Sequence, residues 1–435
     1  MFAYYLRLGW ASLRRNPILT TLMVLGIALG VGTSMTTLTV MYLMGSDPIP
    51  WKSSALHFVQ VDNWDPAQGY NADGSPPDQL TYRDAMAFLQ AHKADHQAVM
   101  YKVSMPVQPD NADIKPFNSL GRATSADFFA MFEPPFKYGG SWDRGQDDQH
   151  ARVVVLSDKT NEKLFGGSNS VGRRVRLNDI DYDVVGVLAP WQPRIKFYDL
   201  TNGSLSAPEG FYLPFSTAIE LKTGSAGNNS CWNNTNSGWD AYLESECVWL
   251  QMWVQTDSAA TYEGYRAYLD NYVAEQKKLG RFPRPSNNRL LNVREWMTDQ
   301  KVVSGDVEVQ SGLSLAFLAV CLLNTIGLLL SKFMRKSGEI GLRRALGASR
   351  RQIFAQHLIE AGVIGISGGL IGLLLTFAGL WIVRLLYADF AKVATLDWVM
   401  VLATILLAIA ASLLAGLYPT WRACRVVPAL QLKTQ

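Results

Sequence analysis

His92 and His96 have the four-residue spacing that places two metal ligands on one face of a helix. A zinc protease would carry a glutamate directly after the first histidine, but Lys93 stands there. No third ligand is evident from the sequence. We therefore interpret the pair as part of a solvated helix face and predict no metal site.

The stretch Gly365-Ile-Ser-Gly-Gly369 matches the G-x-S-x-G turn that presents the nucleophilic serine of many hydrolases. That turn needs a strand before it and a sheet beneath it, whereas this match lies inside a long apolar run. The phosphate-binding pattern G-x-x-x-x-G-K-[ST] is absent from the 435 residues. The sequence therefore predicts a non-catalytic chain that binds no cofactor itself.

Cysteines and tryptophans cluster in one region. Cys231 and Cys247 lie in the same predicted compartment, so we predict a disulfide between them, with two unpaired thiols as the alternative. The stretch 199–240, rich in Asn, Gly and Ser, is interpreted as a loop region that this disulfide restrains. Nearby tryptophans favour core packing over a binding surface: Trp232, Trp239, Trp249 and Trp253.

Long apolar runs are the elements that must position any site in this chain. Four such runs cover residues 18–44, 313–330, 358–383 and 398–417. A helix of about 20 residues crosses the hydrocarbon core of a bilayer, so each run predicts a membrane span. The first run is longer than the apolar part of a signal peptide, and no small-x-small cleavage site follows it, so we interpret it as a retained anchor.

Charge is divided sharply along the chain. Residues 1–17, the loop 331–352 and the tail after Leu417 carry many Lys and Arg and a single acid, Glu339. Residues 45–310 carry more acids than bases. Because short basic segments stay in the cytoplasm, we predict cytoplasmic termini, a cytoplasmic basic loop and a large periplasmic domain. The cations lie where anionic membrane lipid would hold them, and no surface suited to nucleic acid is evident.

The predicted fold class is a membrane α-helical protein with four transmembrane helices and a large α+β, two-lobed periplasmic domain inserted between the first two. The predicted segments are an amphipathic cytoplasmic helix (1–17), the first span (18–44), the periplasmic domain (45–310), the second span (311–333), the cytoplasmic loop (334–352), the third span (353–384), a short periplasmic loop (385–397), the fourth span (398–418) and a cytoplasmic tail (419–435).

Small residues four apart let helices in a membrane approach closely. Gly26 and Gly30 in the first span and Gly365 and Gly369 in the third have this spacing. They suit packing within one chain and pairing of two chains equally well. Asn324 lies in the middle of the second span, where a lone amide is costly, so we expect it to bond a neighbouring helix.

The basic loop has an internal pattern that topology alone does not need. Glu339–Leu346 predicts a short helix that ends at Gly347. Ser349 and Gln352 form a capping box that starts the next helix, which continues into the third span. A short helix hinged to a span in this way can pass a push from a cytoplasmic partner into the membrane.

Three stretches carry a family resemblance. "EIGLRRALGASRRQIFAQHLIEA" resembles the cytoplasmic loop of MacB-type and FtsX-like ABC transporter permeases. "ATSADFFAMF", "FKYGGSWD" and "ARVVVLSDKTNEKLFGGSNSVGRRVRLNDIDYDVVGVL" resemble the periplasmic core domain of that family, and "GLYPTWRACRVVPALQL" resembles its C-terminal end. The chain departs from the family over residues 192–288, where partner or cargo specificity is expected.

The resemblance implies a four-span permease that works as a dimer with a second copy or a paralogous permease, and because the first span comes almost at once we expect a stand-alone permease. It also implies that a separate ABC ATPase subunit binds ATP and Mg²⁺, and that some members recruit a periplasmic adaptor and an outer-membrane channel. The family's coupling segment corresponds to the loop helix and its two arginines: Glu339, Ile340, Gly341, Arg343, Arg344, Ala345, Leu346, Gly347 and Ala348.

We therefore expect a permease subunit of an ATP-driven export complex in the bacterial inner membrane. It would transmit ATPase motion to its periplasmic domain and expel a drug, a peptide or a lipid-linked molecule. A mechanotransmitting regulator of a periplasmic partner, such as a cell-wall hydrolase or a lipoprotein-handling protein, is the alternative function. A membrane-anchored enzyme is disfavoured because no catalytic site is evident.

Overall fold

The computed structural model describes residues 16–233, 237–386 and 398–424. Two compact units form within the chain, one over 47–302 and one from the flanking residues. The helices are α1 (Pro17–Met44), α2 (Tyr82–Ala91), α3 (Asp127–Phe132), α4 (Arg144–Asp148), α5 (Asp158–Phe165), α6 (Phe215–Glu220), α7 (Trp239–Glu244), α8 (Ala259–Lys278), α9 (Val293–Asp299), α10 (Gly305–Arg335), α11 (Ser337–Ala345), α12 (Arg350–Leu386) and α13 (Trp398–Cys424). The strands are β1 (Leu56–Gln60), β2 (His96–Gln108), β3 (Phe117–Thr124), β4 (Phe136–Gly139), β5 (Val153–Leu156), β6 (Arg174–Leu177), β7 (Ile180–Leu188), β8 (Phe211–Pro214), β9 (Gln251–Gln255) and β10 (Arg289–Asn292).

Four helices of the described residues are long and apolar enough to cross a membrane: α1, α10, α12 and α13. They contain the four predicted apolar runs, so the predicted membrane fold with a domain inserted after the first span is confirmed. Within this unit α1 packs against α10 and α12, and α12 packs against α13. Most of the predicted cytoplasmic helix (1–17), periplasmic loop (385–397) and cytoplasmic tail (419–435) lies outside the described residues.

The glycines singled out in the spans lie where helices meet within this chain. A Cβ atom on Gly30 would come within 2.8 Å of Leu318, and one on Gly365 within 1.9 Å of Ser412 Oγ. A Cβ atom on Gly369 would lie 2.7 Å from Ala408, which is also too close. A Cβ atom on Gly26 would fit, because its nearest neighbour, Thr325, would lie 3.7 Å away. Close contact of α1 with α10 and of α12 with α13 therefore depends on small residues.

Asn324 makes no interhelical hydrogen bond within the described residues, so its predicted partner remains a prediction. The Asn324 side chain lies on the exposed side of α10. The neighbouring Thr325 is buried, as are Cys321 and Leu329 on the same side. Successive helical residues are rotated by about 100°, which takes Asn324 off that buried stripe.

The strands of 47–302 form one mixed sheet in the order β10-β1-β9-β2-β3-β8-β5-β7-β4, with β6 beside β2 and β7. The β3–β8 and β5–β7 pairs are parallel, and the other pairs are antiparallel. Strands β6 and β7 form a hairpin through Asn178 and Asp179, which both have positive φ, at 49° and 64°. The domain that we expected to have two lobes is therefore built on one continuous sheet.

The apolar core of the domain lies against this sheet and contains Trp249 and Trp253, which are fully buried. Trp239 packs on the edge of the core, and Trp232 donates its indole N–H to the Asn63 carbonyl at 3.1 Å. The tryptophans therefore serve packing, as predicted. The stretch 199–240 is more ordered than the expected loop region, because it contains β8 and α6.

The predicted disulfide between Cys231 and Cys247 is present. Cys247 is buried and Cys231 is exposed, and the adjacent Ser230 and Val248 form an isolated β-bridge. Cys321 and Cys424 are free and buried.

Reduction of this disulfide should destabilise the domain. Closing a loop of this size removes conformational freedom from the unfolded chain and contributes about 3 kcal/mol in the chain-entropy model. We expect the melting temperature of the full chain in detergent to fall when a reductant is added. A variant with Ser at both positions serves as the control and should melt at the lower temperature with or without reductant. Unchanged melting of the natural chain would contradict the prediction.

Asp78 introduces a pH dependence into the same domain. Burial raises the pKa of Asp78 to about 6, although a hydrogen bond from Gln300 opposes the shift. The folded state therefore binds a proton more tightly than the unfolded state, and stability should decrease as the pH rises from about 4 to 6. Asp78→Asn should stabilise the domain by about 1 kcal/mol at pH 7.5 and have little effect near pH 4. Melting temperatures at the two pH values test this, and an equal effect at both would contradict it.

Candidate functional site

The loop between the second and third spans is a defined helical element. Helix α10 ends at Arg335, Lys336 forms the junction, and α11 begins at once. The chain then breaks at Gly347, whose φ of +103° favours glycine. The predicted capping box starts α12: Gln352 N–H donates to Ser349 Oγ at 3.3 Å, and Ser349 N–H donates to Gln352 Oε1 at 2.9 Å. The predicted short helix and its direct continuation into a span are confirmed.

Apolar residues of α11 and its C-terminal end divide between an inner and an outer side. Ile340 is 4% exposed and joins a core with Phe333 and Ile353. Leu342 and Leu346, one turn apart, are 54% and 80% exposed. Ile340 therefore anchors the helix to the core, while the two leucines face outward.

The polar residues of α11 connect it to its own helix and to α12. Arg343 bonds Glu339 at 2.8 Å along the helix and Gln356 of α12 at 3.0 Å. Gly341 is buried, whereas Gly347 is exposed and Arg344 and Ala348 are half-buried; the side chain of Ala345 is not described. Two exposed leucines beside arginines form a surface suited to a protein partner.

A buried ionic cluster lies where α10 meets α12. Lys332 Nζ is 2.6 Å from Glu360 Oε1, and the two side chains are 0% and 2% exposed. Lys336 Nζ is 3.7 Å from Glu360 Oε1, and His357 Nδ1 is 3.4 Å from Oε2. The sequence patterns did not indicate this cluster. The sequence feature that could have indicated the cluster is Glu360, which is the single carboxylate within the four apolar runs.

A second buried ionic cluster lies in the domain and was also missed. Arg122 of β3 bonds Asp199 and Glu209, and Lys196 Nζ is 2.7 Å from Glu209 Oε1. Burial would raise the pKa of Glu209, but Arg122 and Lys196 outweigh it and hold that pKa well below its ordinary value. Burial lowers the pKa of Lys196. The cluster contains two cations and two anions, and Tyr198 donates a further hydrogen bond to Glu209 at 2.9 Å.

The histidine pair does not lie on one helix face as we predicted. Helix α2 ends at Ala91, His92 caps it with a φ of 47°, and His96 begins β2. No cluster of His, Cys, Asp or Glu suited to a metal occurs among the described residues. Ser367 of the hydrolase-like match lies within α12 and donates to the Val363 carbonyl at 3.0 Å, so it is part of a helix and not of a nucleophile turn.

A cavity of about 330 Å³ opens on the domain near Trp191. Asp158, Lys159 and Glu209 are among its lining residues, but Glu209 is already held by Arg122 and Lys196. A catalytic serine at this cavity would require a general base at hydrogen-bond distance. Ser157 instead serves as the N-cap of α5, because its side chain accepts a hydrogen bond from the Thr160 backbone N–H at 3.2 Å.

Two family matches cover most of the chain. The MacB-like periplasmic core domain matches residues 20–272, and the FtsX-like permease C-terminal region matches residues 311–428.

Curated relatives align over almost the whole chain. The macrolide export ATP-binding/permease protein MacB of Syntrophobacter fumaroxidans is 24% identical over 99% of this chain and 64% of that protein. The pyoverdine export ATP-binding/permease protein PvdT of Pseudomonas entomophila is 24% identical over 99% of this chain and 59% of that protein. The chain thus spans less than two thirds of their length. The periplasmic region of MacB from Actinobacillus actinomycetemcomitans aligns with 16% identity and a TM-score of 0.37, covering 59% of this chain and 96% of that one.

Proposed function

The chain belongs to the MacB-like, FtsX-like family of ABC transporter permeases, and on this basis we propose that it is the membrane subunit through which an ABC ATPase drives export. The observation that carries the proposal is α11, with Ile340 buried and Leu342 and Leu346 exposed. A helix that only fixed topology would need no outward pair of leucines, because solvated residues serve that purpose better.

The proposed mechanism begins with ATP binding in the partner subunit. The 435 residues contain no phosphate-binding loop, so ATP and Mg²⁺ would be bound by the ATPase. Closure of the ATPase would push on the exposed leucines of α11. The push would enter α10 and α12, which continue from either end of α11, and α10 follows the domain directly in the chain. The chain itself would perform no covalent chemistry.

The orientation that follows from this proposal places α11 and both termini in the cytoplasm and residues 47–302 in the periplasm. The basic residues around α11 support it, because short cationic loops remain in the cytoplasm. A second permease copy, an adaptor and an outer-membrane channel are the further partners we expect. The cargo we propose is a drug, a peptide or a lipid-linked molecule.

Purification of the full chain from its native membranes, followed by identification of the recovered proteins, tests this proposal. We expect an ABC ATPase to be recovered, and an adaptor with it would support export. Recovery of a cell-wall hydrolase or a lipoprotein-handling protein together with the ATPase would favour the regulatory alternative. Recovery without any ATPase, under conditions where the chain remains folded, would contradict the proposal.

A further inference from the structure

The buried ionic cluster at Lys332 and Glu360 occupies a position where it can control the stiffness of the loop helix. We propose that the Lys332–Glu360 ion pair is a clamp that holds α10 and α12 together, so that a push on α11 moves both spans as one body. The two residues are positioning residues for the proposed coupling. The inference rests on the proposed function of α11, but the distance measurement described below does not.

Each helix supplies polar or charged side chains to the clamp from consecutive turns. Lys332 and Lys336 are one turn apart near the end of α10, and His357 and Glu360 are one turn apart in α12. Glu360 Oε1 lies 2.6 Å from Lys332 Nζ, and Glu360 Oε2 lies 3.4 Å from His357 Nδ1. The carboxylate is therefore held from both helices at once.

Burial makes this pair difficult to separate. Lys332 and Glu360 are 0% and 2% exposed, so moving the helices apart would separate the ammonium from the carboxylate in an environment with little water. An exposed pair has no such restraint, because water solvates each charge when the pair opens. The pair therefore resists relative movement of α10 and α12 more strongly than a surface pair would.

The loop contains two bends at which a push could be lost. Lys336 separates α10 from α11, and Gly347 separates α11 from α12. Ile340, packed with Phe333 and Ile353, and the Arg343–Gln356 hydrogen bond hold α11 between these bends. Those contacts fix α11 locally, whereas the ion pair fixes the two helices from which it extends.

An ion pair that only stabilised the fold would have a different experimental signature. Replacing a buried pair by apolar residues of similar volume often leaves stability unchanged. Lys332→Met combined with Glu360→Leu removes both charges, and Lys336 is partly exposed and can turn to water. A merely structural pair predicts unchanged geometry in this folded variant, whereas a clamp predicts that α10 and α12 move relative to each other.

The test is a pulsed EPR distance between spin labels at Met334→Cys in α10 and Leu374→Cys in α12, which reports relative movement of these two helices. Both side chains are exposed, and Leu374 lies roughly 20 Å beyond Glu360 along α12, within the range of the method. The full chain, with Cys321 and Cys424 replaced by Ala, is placed in nanodiscs of phosphatidylethanolamine and phosphatidylglycerol. We expect one narrow distance in the parent chain and a distribution at least twice as wide in Lys332→Met/Glu360→Leu.

The charge-reversed variant Lys332→Glu/Glu360→Lys is the matched control. It restores an ion pair between the same helices, so its distribution should return to the parent width. A parent-like width in the folded apolar variant would overturn the clamp. If the apolar variant does not fold, the charge-reversed variant decides the question. A broad distance distribution in its folded form would overturn the proposal, and a narrow distribution would support it. Failure of the natural chain to recover an ATPase would contradict the proposed function and leave these distances unaffected.

Discussion

Leu346→Asp should abolish binding of the ABC ATPase that co-purifies with the natural chain. Leu346 is 80% exposed and lies one turn from Leu342, at the centre of the surface we assign to the partner. Binding would bury the new carboxylate without a partner and remove an apolar contact. Residues that anchor an interface contribute about 2–4 kcal/mol, so affinity should fall roughly 30-fold or more. The amount of ATPase recovered with each chain and its ATP turnover measure the effect.

Leu279→Asp is the matched control for this experiment. Leu279 is also an exposed leucine, at 75%, but it follows α8 in the domain. The substitution introduces the same charge at a similar exposure, so it should leave ATPase recovery unchanged. Equal recovery with Leu346→Asp and the natural chain would show that α11 is not the docking surface.

Arg122→Met should be the most destabilising single substitution that we predict in the domain. Arg122 is fully buried and bonds both Asp199 and Glu209. Its loss would leave two buried carboxylates with Lys196 as the remaining cation of the cluster. Removing one partner of a buried ionic group costs about 3–5 kcal/mol. Thermal melting of the full chain in detergent measures this loss.

Arg176→Met is the control for the buried arginine. Arg176 pairs with Asp181 at 2.7 Å on the surface of the β6–β7 hairpin, and both side chains are largely exposed. Such a pair contributes little to stability, because water solvates both charges when the pair opens. Similar melting temperatures for the two variants would mean that the buried cluster does not stabilise the domain as proposed.

Local patterns allowed the loop to be predicted from sequence. Gly347 ends a helix because it readily adopts a positive φ, and Ser349 with Gln352 satisfies the first amides of the next helix. These interactions connect residues close in sequence, so their spacing is sufficient to recognise them. The four spans were predictable for a similar reason, since length and apolarity are properties of a single segment.

The ionic clusters could not be predicted because their partners are distant in the sequence. Glu360 stood out as a carboxylate in an apolar run, but its pairing with Lys332 depends on how α10 and α12 lie side by side. Arg122 reaches Glu209 only because β3 pairs with β8 in a parallel arrangement. Which strands become neighbours is a property of the whole sheet.

Two differences between the predictions and the structure have local physical causes. The His92–His96 spacing suits a helix, but α2 ends at Ala91 and the chain continues as a strand, which separates the two side chains. Asn324 was expected to bond a neighbouring helix because an amide in hydrocarbon is costly. The period of the buried residues in α10 would have placed it on the outer side.

Photo-cross-linking from Leu346 in the cells that naturally make the chain tests the central claim most directly. A benzophenone amino acid at position 346 should cross-link to a protein that contains the G-x-x-x-x-G-K-[ST] loop of an ATPase, and the same amino acid at position 279 should not. The account would be contradicted if no ATPase were cross-linked at 346 while a membrane-impermeant maleimide labelled Leu346→Cys in intact cells.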